Sequence, residues 1–208
     1  MQDDYISLNR AQPGSERDPF TVERYAQFYR HFPAKAQSVL DIGCNTGRGG
    51  KVLKELNGDL QIFGLDALQE RVDALPAEAY SVGLQGFSTC IPASEASFDV
   101  VVAGELIEHI LNSDVDKTIS EIFRTLKIGG RLLLTTPNPL DLKRRWRGES
   151  ILGGAHVSQH FPDDLAIRLR MSGFSRVKIY GSGKVSRHLG SRFPLLIYGS
   201  YLATADKF

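Results

Sequence analysis

Apolar and polar positions alternate along the chain in blocks of two periods. "SVLDIG" (38–43) is a short, continuous apolar run that predicts a buried strand, and "GRGGKVLKELNG" (47–58) carries apolar residues at helical spacing and closes on Gly58. "LQIFGLD" (60–66) predicts a second strand, followed by the short helical stretch "ALQERVDAL" (67–75). "AYSVGLQG" (79–86) reads as a weak third strand and "SFDVVVAGE" (97–105) as a strong fourth. "SDVDKTISEIFRTLKIGG" (113–130) predicts an amphipathic helix with a Ser or Asp cap and a glycine stop, and "GRLLLTTPNP" (130–139) a fifth strand.

Strands alternating with helices imply βαβ units and a parallel sheet covered on both faces. The pattern changes after residue 139. Residues 139–161 read as a long, irregular connection, "FPDDLAIRLRMSGF" (161–174) as a capped helix with a glycine stop, and "SRVKIYGSG" (175–183) and "FPLLIYGSYLATADK" (193–207) as two final strands. Upstream, "DPFTVERYAQFYRHFP" (18–33) spaces its aromatic residues as a helix lying over something apolar. The expected architecture is a three-layer α/β sandwich with a mostly parallel seven-stranded sheet and an antiparallel last strand. With no repeat or composition break, it forms one domain over 19–208 behind a mobile polar lead-in at 1–18.

Composition narrows the partners. Hydrophobic residues make up 42% and the net charge is +1, so no global field favours nucleic acid or a membrane. The local exception is "KRRWRG" (143–148), which mixes four cations with Trp146; a solvated loop or contact with an anionic or membrane surface are its two readings. Cys44 and Cys90 form no CxxC pattern, and "MQDDYISLNR" lacks the basic and apolar regions of a signal peptide, which points to the cytoplasm.

The turn in "VLDIGCNTGRGG" (39–50) follows the first strand, where open parallel sheets bind ligands. A triphosphate loop would need a lysine after the last glycine, and Gly47 is followed by arginine and glycine. A dinucleotide turn needs GxGxxG, whose middle glycine is here Asn45, a residue that tolerates left-handed backbone. A ligand with a carboxylate, an ammonium and a ribose but no phosphate is the third option. "VLDIGCNTG", "FGLDAL", "FDVVVAGELIEHI" and "LKIGGRLLLTTPNP", in this order over about residues 36–180, resemble the successive motifs of class I S-adenosylmethionine-dependent methyltransferases.

That resemblance implies a Rossmann-like fold, S-adenosylmethionine as cofactor, and a site built on Asp41, Gly43, Cys44, Asn45, Gly47, Asp66, Ala67, Ser88 and Glu105. Asp41 is expected to order the turn and meet the methionine ammonium, directly or through water, and Gly43 and Gly47 to clear room for the methionyl and ribose parts. Asp66 would accept from both ribose hydroxyls, and Ala67 would wall the adenine. Where relatives show Gly-Asp, this chain has Gly86-Phe87, so the polar adenine contact passes to Ser88 or backbone. Glu105 would border the methionine end.

Candidate bases are His109 in "GELIEHI" and His156 and His160 in "GGAHVSQHFP". Each has a structural alternative: Glu108 and His109 bracing their loop, and one of the later pair capping the helix after "FPDD". Quinone-biosynthesis O-methyltransferases carry a similar Glu-x-x-Glu-His stretch in which a cation can sit; no metal is expected here. The expected reaction is O-methylation of a small molecule, quinone precursor or glycan, without nucleic acid. A silent cofactor-binding module and a nucleotide-linked dehydrogenase are the alternatives.

Overall fold

The structure, a computed structural model, describes residues 18–208 together with positions 6, 7 and 10; the rest of the expected lead-in lies outside the described residues. Among the described residues, seven strands form one sheet in the order β3-β2-β1-β4-β5-β7-β6. They are β1 (Ser38–Ile42), β2 (Gln61–Asp66), β3 (Val82–Gln85), β4 (Phe98–Gly104), β5 (Leu126–Pro137), β6 (Ser175–Ser182) and β7 (Ser200–Asp206). The first five run parallel, and β7 pairs antiparallel with both β5 and β6.

Both faces of the sheet are buried, which is why β1 and β4 read as continuous apolar runs rather than alternating ones. One core holds Leu40, Ile42, Val101 and Leu132 against Ile119 and Leu165; the other holds Val39, Val100 and Val102 against Tyr25, Phe28 and Leu53. The helices supplying those outer residues are α1 (Thr21–Tyr29), α2 (Arg48–Leu56), α4 (Val115–Thr125) and α6 (Pro162–Met171). The short α3 (Gln69–Asp73) follows β2.

Four local readings need correction. The helix expected to stop at Gly129–Gly130 ends at Thr125, because Leu126 already pairs with Phe98 on β4 and Gly129, at φ +81°, donates to the Lys207 carbonyl. Asp114 sits at that helix's cap position without a side-chain cap bond. The connection after β5 contains a helical turn, α5 (Leu142–Trp146), begun by Asp141 accepting from the Lys143 amide. Of the apolar stretch from Phe193, the strand takes up only Ser200 onward; Leu195–Ile197 forms a 3₁₀ turn, and α7 (Lys184–Leu189) precedes it.

Candidate functional site

The carboxyl ends of β1, β2 and β4 deliver Asp41, Asp66 and Glu105 to one edge of the sheet. A small pocket, open to solvent, lies there, lined by Gly43, Asp66, Ala67, Phe87, Ser88 and Leu106. Among the described residues, none that lines it is cationic.

Gly43 has φ +72°, and a Cβ there would come within 3.0 Å of Leu106 Cδ1, so only glycine leaves this wall open. Its amide donates to the Leu65 carbonyl, tying the turn to β2. Asn45 takes the left-handed conformation at φ +51°, and its amide donates to Asp66 Oδ2 at 3.0 Å. Asp66 Oδ1 accepts from the Leu68 amide at 3.0 Å, and Arg71 lies 3.7 Å from Oδ2. Two backbone donors thus fix the Asp66 carboxylate at the pocket wall with lone pairs left for a ligand. Ser88 lines the pocket and shares a 3.1 Å hydrogen bond with Thr118.

Three expected cofactor residues stand elsewhere. Asp41 is fully buried and accepts from the Tyr25 and Tyr80 hydroxyls, each at 2.6 Å, one on each oxygen. It therefore braces the turn from behind, the turn-ordering part of its expected role. Burial, with a smaller push from the Asp66 charge, raises its carboxyl to about pKa 6 against the lowering effect of the tyrosine bonds. Cys44 points its thiol into the core beside Tyr80 and Val52. The space kept clear at Gly47 belongs to Pro76, Leu75 and Tyr80, so this glycine serves packing at the helix start rather than ligand room.

Tyr25 and Tyr80 went unread in the sequence, yet their signal was present. Gly49 and Gly50 open α2, where each glycine costs about 1 kcal/mol relative to alanine. A Cβ at Gly49 would overlap the Tyr25 ring and one at Gly50 the Tyr80 ring. A glycine pair at a helix start thus marks rings laid flat against it. Tyr25→Phe is expected to cost about 1–3 kcal/mol by leaving one Asp41 oxygen without a donor, measurable by urea unfolding.

Glu105 follows β4 with φ +52°, a conformation that non-glycine residues hold only under constraint. Its amide donates to the Thr135 carbonyl at 3.0 Å. Glu105 Oε1 is buried without a hydrogen-bond partner, with Arg24 Nε 3.8 Å away. Arg24 comes from α1 and pairs with Asp18 at 2.8 Å, so the N-terminal helix closes over this end of the site.

Glu108 is fully buried; Oε2 accepts from Thr136 at 2.9 Å while Oε1 has no hydrogen-bond partner. Desolvation, and after it the charge of Glu105, raises its pKa well above the usual carboxylate range. His109 Nδ1 lies 3.0 Å from the Ala155 carbonyl and His156 Nδ1 3.0 Å from that of Ile151, and the two rings meet edge to face at 4.8 Å. Glu108, His109 and His156 each bring a proton- or metal-binding atom within 4.8 Å of the others. Burial lowers the His109 pKa to about 4, so its ring is neutral at neutral pH.

His160 does not join them. It is buried, with Nε2 at 2.8 Å from Ser158 Oγ and 3.3 Å from the Ile107 carbonyl, which ties the connecting segment beneath the site. Its expected catalytic role gives way to this brace, and it caps no helix: Phe161 occupies the cap of α6 without a side-chain bond.

The pocket suits the expected cofactor on its own chemistry. A fixed carboxylate and an open glycine wall suit the ribose hydroxyls, the nearby Glu105 Oε1, buried without a hydrogen bond, suits an ammonium, and among the described residues none that lines the pocket is cationic. Comparison with known proteins agrees. Residues 40–134 match the methyltransferase domain family. A probable S-adenosylmethionine-dependent methyltransferase of Mycolicibacterium smegmatis is 30% identical over 136 residues, 64% of this chain and 51% of the relative. The mitochondrial ubiquinone biosynthesis O-methyltransferase of mouse is 29% identical over 174 residues, 73% of this chain and 45% of the relative. The chain thus spans about half the length of these curated relatives. A methyltransferase structure from Archaeoglobus fulgidus superposes with a TM-score of 0.70 at 18% identity, covering 90% of this chain and 93% of that one. With its ordered motifs, its family match over residues 40–134 and its sheet in agreement, the chain carries a methyltransferase domain similar to the class I S-adenosylmethionine-dependent methyltransferases.

Proposed function

We propose that the protein methylates a hydroxyl oxygen on a small molecule, quinone precursor or glycan. The observation that carries this reading is the convergence of Glu108, His109 and His156 at the end of β4, next to the cofactor pocket. An amine acceptor needs only to arrive unprotonated, whereas a hydroxyl must lose a proton as the new bond forms. Two free thiols, Cys44 and Cys90, suit the reducing cytoplasm as the working compartment.

Bound S-adenosylmethionine supplies an activated methyl group on its sulfonium. The chain's part is to hold and align. Asp66 would take the ribose hydroxyls, Ala67, Phe87 and Leu106 would enclose the base, and Ser88 would meet its polar edge. Glu105, rather than Asp41, would take the ammonium through Oε1. His109, neutral and held by Ala155, would accept the acceptor's proton, with His156 and Glu108 beside it.

His109→Gln is expected to lower turnover on a hydroxyl acceptor by roughly 10²–10⁴ while leaving S-adenosylhomocysteine binding unchanged. The readout is product release across a panel of phenols, sugars and amines. Unchanged turnover in the variant would remove His109 from the reaction. Methylation of amines alone would move the protein to the N-methylating class. Activity lost on chelation and restored by a divalent cation would assign the cluster to a metal.

The same residue shapes stability. His109 has a folded pKa of about 4 against an ordinary 6.5, so the unfolded chain takes up the proton first. Stability contributed by the neutral ring is present above pH 6.5 and is lost as pH falls toward 4, by on the order of 3 kcal/mol at the low end. Asp41 titrates with the opposite sign: its folded pKa is raised, so stability declines as pH rises toward 6. Denaturant midpoints of wild type and His109→Gln, compared pH by pH, isolate the histidine. The variant is expected to show the shallower loss on acidification.

A further inference from the structure

Two connections emerge at the same edge of the sheet as the candidate site. One follows β5, which ends at Pro137; the other joins the end of β6 at Ser182 to the start of β7 at Ser200. Pro137 and Ser182 are both register partners of Ser200, so the connections leave the sheet at one level. They also pack together. Helix α5 lies against the Leu195–Ile197 turn, and the Asn138 side chain donates to the Leu195 and Tyr198 carbonyls at 2.7 and 2.9 Å.

The surface they make is unlike the rest of the molecule. Trp146 is 86% exposed, and Leu142, Phe193, Leu196 and Ile197 stand exposed around it. Interleaved with them are Lys143, Arg145, Arg147, Lys184 and Arg192. Residues 184–199 contain no acidic residue, and 142–152 contain only Glu149, 3.5 Å from Arg147. Lys143, Arg145, Lys184 and Arg192 form no ion pair among the described residues. A chain of net charge +1 has therefore concentrated cations and bare apolar side chains on one rim.

The geometry points to a docking face for an anionic phospholipid bilayer, formed by residues 142–152 and 184–197. Exposed aliphatic and aromatic side chains enter the interface, with tryptophan at the headgroup level, while lysine and arginine meet the anionic headgroups. Nucleic acid would use the cations and the indole but would leave Leu142, Leu196 and Ile197 in water. The segment also runs into the site: past α5, Ala155 faces His109, and the Val157 amide donates to the Glu108 carbonyl at 2.9 Å. Docked this way, the site opens toward the lipid. It then takes an amphipathic, membrane-borne hydroxyl acceptor, a consequence that rests on the methyltransferase reading.

Trp146 is the single tryptophan, so intrinsic fluorescence reports this face alone. The whole chain is titrated with vesicles of phosphatidylcholine and with vesicles of phosphatidylcholine plus phosphatidylglycerol, reading fluorescence and co-sedimentation. Expected are a blue shift and pelleting with the anionic vesicles, weakened by salt. The charge reversal Lys143→Glu/Arg145→Glu/Arg147→Glu should reduce partition about 100-fold or more, as removal of three surface-bound cations implies. Trp146→Ala should weaken sedimentation, and Lys35→Glu, on an exposed site outside both connections, should not. The proposal is overturned by equal partition into both vesicle types, by no partition into either, or by a fluorescence change with an oligonucleotide or acidic peptide but not with vesicles. Vesicle binding is read without turnover, so a failed acceptor screen leaves its outcome distinct.

Discussion

Asp41→Ala is expected to lower folding stability by about 2–5 kcal/mol, the largest loss of any single polar substitution at the site. Its carboxylate is fully buried and receives one tyrosine hydroxyl on each oxygen at 2.6 Å. Alanine leaves both hydroxyl protons without an acceptor, at about 1–3 kcal/mol each, with Tyr80 still accepting from the Gly50 amide, and opens a small cavity. Neither hydroxyl has easy access to water: Tyr25 lies against Gly49, and Tyr80 lies against Gly50 and Gly64. Asp41→Asn keeps one acceptor and the shape, so it should cost much less and should abolish the decline in stability from pH 4 toward 6 that the raised carboxyl produces. Urea unfolding of both variants at several pH values is the check. Equal stability of Asp41→Ala and wild type would mean that the tyrosine bonds do not hold the turn.

Asp66→Ala is expected to weaken S-adenosylhomocysteine binding by about 1–3 kcal/mol, the scale of a lost charge-assisted hydrogen bond. Part of that loss is indirect, because Asp66 also accepts the Asn45 and Leu68 amides that set the loop. Asp66→Asn separates the two: it retains one acceptor oxygen for an amide but carries no charge for the ribose hydroxyls. Calorimetry on both should rank wild type above Asn and Asn above Ala. Unchanged affinity in Asp66→Ala would take the residue out of the ligand contacts.

The sheet was legible because its evidence is local and redundant. β1 and β4 are apolar runs flanked by turn residues, and the helices between them carry a clear period. The end of α4 was misread because Gly129–Gly130 looks like a helix stop, whereas a pairing across the sheet, Leu126 with Phe98, decides where the helix ends. At the site, the place of Gly43, Asp66 and Ala67 on the pocket wall was legible because it follows from position at a strand end. The place of Asp41 was not, because its partners come from 16 and 39 positions away and lie on elements whose packing no local pattern states. His109 and His156 were named separately; only the fold of the connection after β5 brings their rings together.

Titration of the wild-type chain with S-adenosylhomocysteine and with NADH, by calorimetry in the same buffer, tests the central claim most directly. The pocket's fixed carboxylate, and the lack of a cation among the described residues that line it, predict saturable, micromolar-range binding of S-adenosylhomocysteine and no heat from NADH. Absence of S-adenosylhomocysteine binding, or a preference for NADH, would contradict it and return the glycine turn to the dinucleotide class.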